Sequence, residues 1–236
     1  MSTATITPSI AELNQKLENF KDERFAAAQA ANAQRELERF DGQNIESFRR
    51  GIDLVRNLPI DDFTLLDIGC GVGLYGVLLR RYSGKRFDYV GCDFSPAMVA
   101  EAKRLNPGCP ISQADARHLY HMTKSFDVVW ISALLEHVPE YEQVLAEAAR
   151  VGRQYMLLHR LFLHGGKTQR QILTTRANEY PFEGFTYPRT IRNVNEFDAE
   201  VEKHGKIVAR QAWQFDPTNG LNLRLHSYTV RLNQGF

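Results

Sequence analysis

Residues 65–76 read LLDIGCGVGLYG, and the architecture of the chain turns on them. An apolar run ends in glycines at alternate positions, Gly69, Gly71 and Gly73, and a segment of helical character follows. A strand, a sharp turn and a helix N-terminus in that order bring the backbone close to a ligand, because glycine has no Cβ and reaches positive φ. Gly71, Gly73 and Gly76 also satisfy GxGxxG, so this loop alone is equally compatible with a dinucleotide-binding domain.

Working outward, short β-rich runs alternate with helical segments from residue 63 onward. Strands are expected at 63–69, 87–93, 109–114, 126–132 and 153–160, and helices at about 74–82, 96–105 and 140–150. This alternation predicts a mostly parallel sheet covered on both faces. Ser95 and Pro96 mark the start of the second helix as N-cap and first helical residue. Residues 160–192 carry glycines, prolines and aromatics without steady periodicity and read as an insertion. A helix at about 194–204 and two strand-like runs, KIVARQAWQF and LRLHSYTVRLN, follow, and the turn-rich DPTNG between the runs predicts a closing antiparallel hairpin. Ahead of all this, residues 9–57 are rich in Ala, Gln, Glu, Leu and Arg and lack proline, which predicts two or three helices.

Composition narrows the function. The chain has 236 residues with 29 Lys plus Arg against 28 Asp plus Glu, a formal charge of +1. That balance lacks the positive field of a nucleic-acid binder, so no nucleic-acid partner is expected. The start MSTATITPSIAELNQ has no leader pattern and no later stretch is apolar enough to span a membrane, so a cytoplasmic protein with no membrane partner is expected. Cys70, Cys92 and Cys109 form no CxxC pair and read as inert, reduced thiols.

Three acids follow in order: Asp67 in the strand before the glycines, Asp93 at the end of the second strand, and Asp115 after the third, in QADARHL. Asp93 lies 20 residues beyond Gly73, where a carboxylate suits ribose hydroxyls in either fold. With these acids and the terminal hairpin, the sequence resembles the class I S-adenosylmethionine-dependent methyltransferases, whose first motif reads D-x-G-x-G-x-G. The resemblance covers about 63–160 and the hairpin. It implies a Rossmann-like, seven-stranded, mostly parallel α/β sheet with the last strand antiparallel. Residues 59–236 would then form the methyltransferase domain and residues 1–58 an N-terminal helical cap or lid. It further implies S-adenosyl-L-methionine as cofactor. Gly69, Gly71 and Gly73 would line its methionine and ribose part, with Asp67 near the amino group. Asp93 would accept the ribose hydroxyls, Phe94 and Met98 would pack near ribose and adenine, and Asp115 with Ala116 would read the adenine. Ile131 and Ser132 would border the sulfonium.

The acceptor side is less determined. After the fourth strand the chain reads ISALLEHV, which lacks the Asn/Asp-Pro-Pro of many amino-directed methyltransferases and is similar to the LEHV stretch of small-molecule enzymes. Some of those have a Glu for metal where this chain has Ala133, so no metal is expected. His137 and His159 are candidate bases, with His159 preferred because it closes the fifth strand immediately before the insertion. The insertion holds six Lys plus Arg, among them Arg160, Arg170, Arg176 and Arg189, against Glu179 and Glu183, with aromatics interleaved. Arg160, His164, Tyr180 and Tyr187 are therefore expected to bind an aromatic or anionic small molecule that accepts methyl on oxygen or nitrogen. A tRNA or protein substrate, a nicotinamide-dependent oxidoreductase and a binder without turnover are the alternatives.

Overall fold

The computed structural model describes residues 7–177, 179–214 and 224–233. Three helices open the chain: α1 (Ile10–Leu17), α2 (Glu23–Arg39), reached through the 3₁₀ turn Glu18–Lys21, and α3 (Glu46–Arg56). Local chemistry starts the first two. Ser9 and Glu12 form a reciprocal capping box on α1, and Asp22 accepts the Arg24 N–H at the head of α2.

The alternating region folds as β1 (Phe63–Ile68), α4 (Leu74–Tyr82), β2 (Phe87–Asp93), α5 (Pro96–Leu105), β3 (Ile111–Gln113), β4 (Phe126–Ser132), α6 (Tyr141–Val151) and β5 (Gly152–His164). It continues as β6 (Gln169–Thr174), β7 (Thr186–Asn193), α7 (Val194–Glu202), β8 (Gly205–Gln214) and β9 (Arg224–Leu232). Strands β3, β2, β1, β4 and β5 lie side by side and parallel, and β9 then pairs antiparallel with both β5 and β8. These seven strands are the expected sheet, hairpin included; the DPTNG turn lies outside the described residues.

The insertion departs from expectation, since β6 and β7 form an antiparallel pair within it. Leu163 pairs with Arg224 of β9 and with Arg192 of β7, so β7 occupies the edge of β5 that β4 has vacated. No residue of β6 is buried, which removes the inside–outside alternation that would have marked it as a strand.

Alternation in the central strands sorts the core into two layers. Leu66, Ile68, Val129, Ile131 and Leu158 meet α6 and α7, whereas Leu65, Val128, Trp130 and Leu157 meet α3, α4 and α5. Helix α3 thus belongs to the sheet's covering layer. Helix α2 packs elsewhere: its Phe25, Ala26 and Ala33 join Met98 and Phe185 in a third cluster. No helix among the described residues is long and apolar enough to cross a membrane.

Candidate cofactor and acceptor site

Chain order reverses between β1 and β4, and a crevice opens beyond the carboxyl ends of those strands, where ligands of open α/β sheets bind. A cavity of about 460 Å³ lies there. The glycine loop forms one wall. Gly69 and Cys70 donate their N–H groups to the Cys92 carbonyl at 2.8 and 2.9 Å, which ties the loop to β2. Gly71, at φ +54, lines the cavity, and a Cβ there would meet nothing within 4 Å. Gly73, at φ +77, precedes α4, and a Cβ there would run into the Asn106 side chain. One glycine leaves room for a ligand and the other leaves room for the protein.

Asp93 joins loop to cavity. Its Oδ2 accepts the Gly71 N–H and its Oδ1 the Ser95 N–H, both at 2.9 Å. Each carboxylate oxygen retains a further lone-pair direction for a ligand hydroxyl. Burial pushes its pKa above the ordinary carboxylate range, against the opposing pull of the backbone N–H groups of Ser95 and Gly71. Phe94, Met98, Asp115 and Ala116 line the same half of the cavity. Asp115 is gripped by Arg117, whose Nη2 donates to Oδ2 at 2.7 Å and whose Nε donates to Oδ1 at 3.0 Å. Burial would raise the Asp115 pKa, but these Arg117 bonds outweigh it and hold the group below its usual value.

Several sequence-expected residues stand elsewhere. Asp67 is 2% exposed and lies behind the loop, where its Oδ2 accepts from the Tyr89 hydroxyl at 2.8 Å. Burial raises its pKa to about 7. Neither it nor Gly73 reaches the cavity wall. Ile131 points into the core and Ser132 ends β4, so the wall at that point is made by the next residues, Ala133, Leu134, Glu136, His137 and Val138. His164 sits at the far end of β5, with Nε2 2.9 Å from the Lys167 carbonyl, and lies off the cavity.

The two histidines differ sharply. His159 is 0% exposed; its Nδ1 lies 2.6 Å from Ser227 Oγ, and its Nε2 lies 2.9 Å from the Ser47 carbonyl and 3.0 Å from the Tyr75 hydroxyl. Only an N–H can bond a carbonyl, so Nε2 carries the proton and Nδ1 accepts from Ser227. Burial, helped by Arg160, holds its pKa well below that of a free histidine. The preference for His159 as base is therefore corrected: the ring is shut behind the cavity with every nitrogen engaged. His137 lines the cavity, and its Nδ1 meets the Pro188 carbonyl at 2.7 Å. That bond fixes the proton on Nδ1 and leaves the Nε2 lone pair free.

Arg160, Phe162, Tyr180, Phe185, Tyr187 and Arg189 complete the acceptor half. Leu17, Phe20, Phe25 and Gln29 from the N-terminal segment also line the cavity. Phe25 stacks on Phe185 at 4.6 Å, and Phe20 lies 4.9 Å from the His137 ring. Arg117, two residues past Asp115, was within reach of a sequence reading. Phe20 and Phe25 carry no local signal, because their role depends on how the helices fold back. Among the described residues, no group of three His, Cys, Asp or Glu side chains is placed to hold a metal.

A Rossmann-like domain with an open glycine loop, a buried acid at the end of β2 and an aromatic- and arginine-lined chamber beside them has the layout of a nucleoside-dependent transferase. Residues 66–155 match a methyltransferase domain family. This match and the fold together support a methyltransferase domain of the class I S-adenosylmethionine-dependent type over that stretch, which implies S-adenosyl-L-methionine as cofactor. The chain is 31% identical over 101 residues to the trans-aconitate 2-methyltransferase of Escherichia coli, an overlap of 42% of this chain. It spans only 39% of the length of that relative. Among solved structures, an S-adenosylmethionine-dependent methyltransferase from Methanosarcina mazei superposes with TM-score 0.62 at 16% identity, over 76% of this chain and 96% of the other. The Burkholderia thailandensis 1,6-didemethyltoxoflavin-N1-methyltransferase does so with TM-score 0.60 at 14% identity, over 98% of this chain and 94% of the other. These structures share the fold. The free space at Gly71 and the remaining acceptor capacity of Asp93 suit a nucleoside with vicinal hydroxyls.

Proposed function

We propose that the chain transfers the methyl group of S-adenosyl-L-methionine to a small acceptor with a carboxylate on an apolar or aromatic body. The observation that carries this reading is a pair of guanidinium groups, Arg160 and Arg189, on the wall of the acceptor chamber. The Nε of each is buried without a hydrogen-bond partner, and neither arginine pairs with a carboxylate among the described residues. A buried donor left unmatched costs about 1–3 kcal/mol, more when charged, and a ligand carboxylate would remove that penalty. The Escherichia coli relative is named for an anionic acceptor, trans-aconitate. A whole-chain charge of +1 gives no support to a nucleic-acid substrate.

Bound S-adenosylmethionine supplies an electrophilic methyl group on a sulfonium. The protein's part is to align the acceptor, exclude water and, where the acceptor atom is protonated, receive its proton. In this reading Asp93, Gly69 and Gly71 hold the nucleoside, and Phe94, Met98, Asp115 and Ala116 surround the base. Phe20 and Phe25 shut out solvent, and His137 Nε2 receives the proton. Tyr180 and Tyr187 flank the acceptor body. The test is methyl-group transfer from labelled S-adenosylmethionine across small carboxylates and their matched amides. Arg189→Met should raise KM for a carboxylate by about tenfold to a hundredfold, the worth of a charged hydrogen bond, and leave S-adenosylhomocysteine affinity unchanged. Amides methylated as well as carboxylates, or a KM indifferent to Arg189, would refute the carboxylate handle.

A further inference from the structure

The cavity wall that carries the two arginines also carries an acid without a hydrogen-bonding partner. Glu136 is 3% exposed, lines the cavity, and its Oε2 has no hydrogen-bond partner. Its other oxygen, Oε1, lies 3.9 Å from His137 Nε2. Because the Pro188 carbonyl holds the proton on His137 Nδ1, Nε2 is an acceptor. Glu136 Oε2 is unpaired and, in the neutral ring, His137 Nε2 is an acceptor, so the two side by side offer a place for a donor. The backbone imposes this arrangement. The Thr190 N–H donates to the Glu136 carbonyl at 2.7 Å, and Arg192 donates to the carbonyls of Leu135 and Val138 at 2.7 and 3.0 Å. The turn is therefore pinned on both sides of Glu136. Arg192 itself is satisfied by those carbonyls and by the Tyr141 ring at 4.0 Å, and makes no ion pair with Glu136.

We infer that Glu136, with His137 Nε2, holds the ammonium group of the acceptor, so that the chamber selects an amino-acid-like zwitterion: carboxylate on Arg160 and Arg189, ammonium on Glu136. This rests on the carboxylate reading above. A neutral wall would accept a plain carboxylic acid; a buried carboxylate in the same chamber as the two arginines disfavours it, because each charge is desolvated until matched.

The experiment is a calorimetric titration of the full chain, saturated with S-adenosylhomocysteine, using matched probes. These are L-phenylalanine, 3-phenylpropanoate and 2-phenylethylamine, and the same trio built on leucine: L-leucine, 4-methylpentanoate and 3-methylbutylamine. Each amino acid should bind at least about tenfold more tightly than its des-amino acid, as expected for a charge-assisted bond to a buried carboxylate. Glu136→Gln should cut that preference to less than about threefold and raise the affinity for 3-phenylpropanoate, and Glu136→Asp should retain part of the preference. Equal binding of amino acids and des-amino acids, or a preference that survives Glu136→Gln, overturns the ammonium site and leaves the carboxylate reading standing. Amines bound alone, indifferent to Arg189→Met, would overturn the carboxylate reading and with it the zwitterion. Binding by none of the six overturns both. A Gln variant that no longer binds S-adenosylhomocysteine marks Glu136 as a structural residue and also overturns the inference.

Discussion

Replacing Asp93 with Ala removes one carboxylate that serves two partners at once. On the protein side it accepts the N–H groups of Gly71 and Ser95 at 2.9 Å each, and on the cavity side it offers its remaining lone pairs to ribose hydroxyls. Hydrogen bonds to a charged group are worth roughly 1.5–3 kcal/mol each. Two that share one carboxylate do not add fully, so a loss of about 3 kcal/mol is expected, close to 150-fold in Kd. Part of it would come through Gly71, whose N–H loses its anchor. Asp93→Asn separates the contributions: it keeps the shape and one acceptor oxygen but turns an amide donor toward a backbone N–H, and it should fall between wild type and Ala. The assay is calorimetric titration with S-adenosylhomocysteine, with near-ultraviolet circular dichroism to verify the fold and NAD as the competing cofactor. Wild-type affinity in a folded Asp93→Ala would refute the ribose assignment. Heat from NAD equal to that from S-adenosylhomocysteine would refute the cofactor assignment itself.

Burial raises the Asp67 pKa to about 7, above an ordinary value of 3.8, so its contribution to stability is greatest below pH 4 and is lost as pH rises toward 7. Denaturant titrations of wild type and Asp67→Asn should therefore diverge across pH 4–7, with the variant gaining relative stability as pH rises; parallel curves would contradict the buried titration. His159 has the opposite sign. Its pKa is depressed below 6.5 by burial, so stability falls as pH drops below about that value, and His159→Phe should flatten the acid limb while lowering the melting temperature, because the Ser47 carbonyl and Tyr75 hydroxyl lose their shared partner. Gly71→Ala and Gly73→Ala should separate binding from folding. The first puts a methyl group into open cavity and should weaken S-adenosylhomocysteine more than stability, whereas the second drives a Cβ into Asn106 and should cost about 1–3 kcal/mol of unfolding free energy.

What the sequence made legible, and what it hid, is explained by how far each signal extends along the chain. The bounds of α4, α5, β2 and β4 were readable because each is set within a few residues, by a glycine turn, by the Ser95–Pro96 cap or by an apolar run bounded by polar neighbours. Asp93 was readable for the same reason, since its place at a strand end beside the glycines is a local fact. Asp67 was not separable from it, because whether a carboxylate at the end of β1 faces ligand or core depends on Tyr89, 22 residues away. The histidines show the limit most clearly. A strand ending at residue 160 would present His159 at the crevice, but β5 runs on to His164 and its register with β9 shifts between Leu158 and Leu161. Within that irregularity Arg160 adopts φ +59. A bulge of this kind re-aims the side chains beside it. It turns Arg160 into the acceptor chamber and leaves His159 facing Tyr75 and Ser227, and no periodicity in LLHRLFLH announces it. The strain of a non-glycine residue at positive φ costs of order 1–3 kcal/mol and persists only where surrounding structure demands it. Here the demand comes from both sides of the strand: β9 pairs on either side of the bulge, and the His159 carbonyl accepts the Ala133 N–H at 3.1 Å, where β4 also turns through positive φ. The charge that defines the proposed acceptor is thus positioned by two linked distortions at the ends of neighbouring strands.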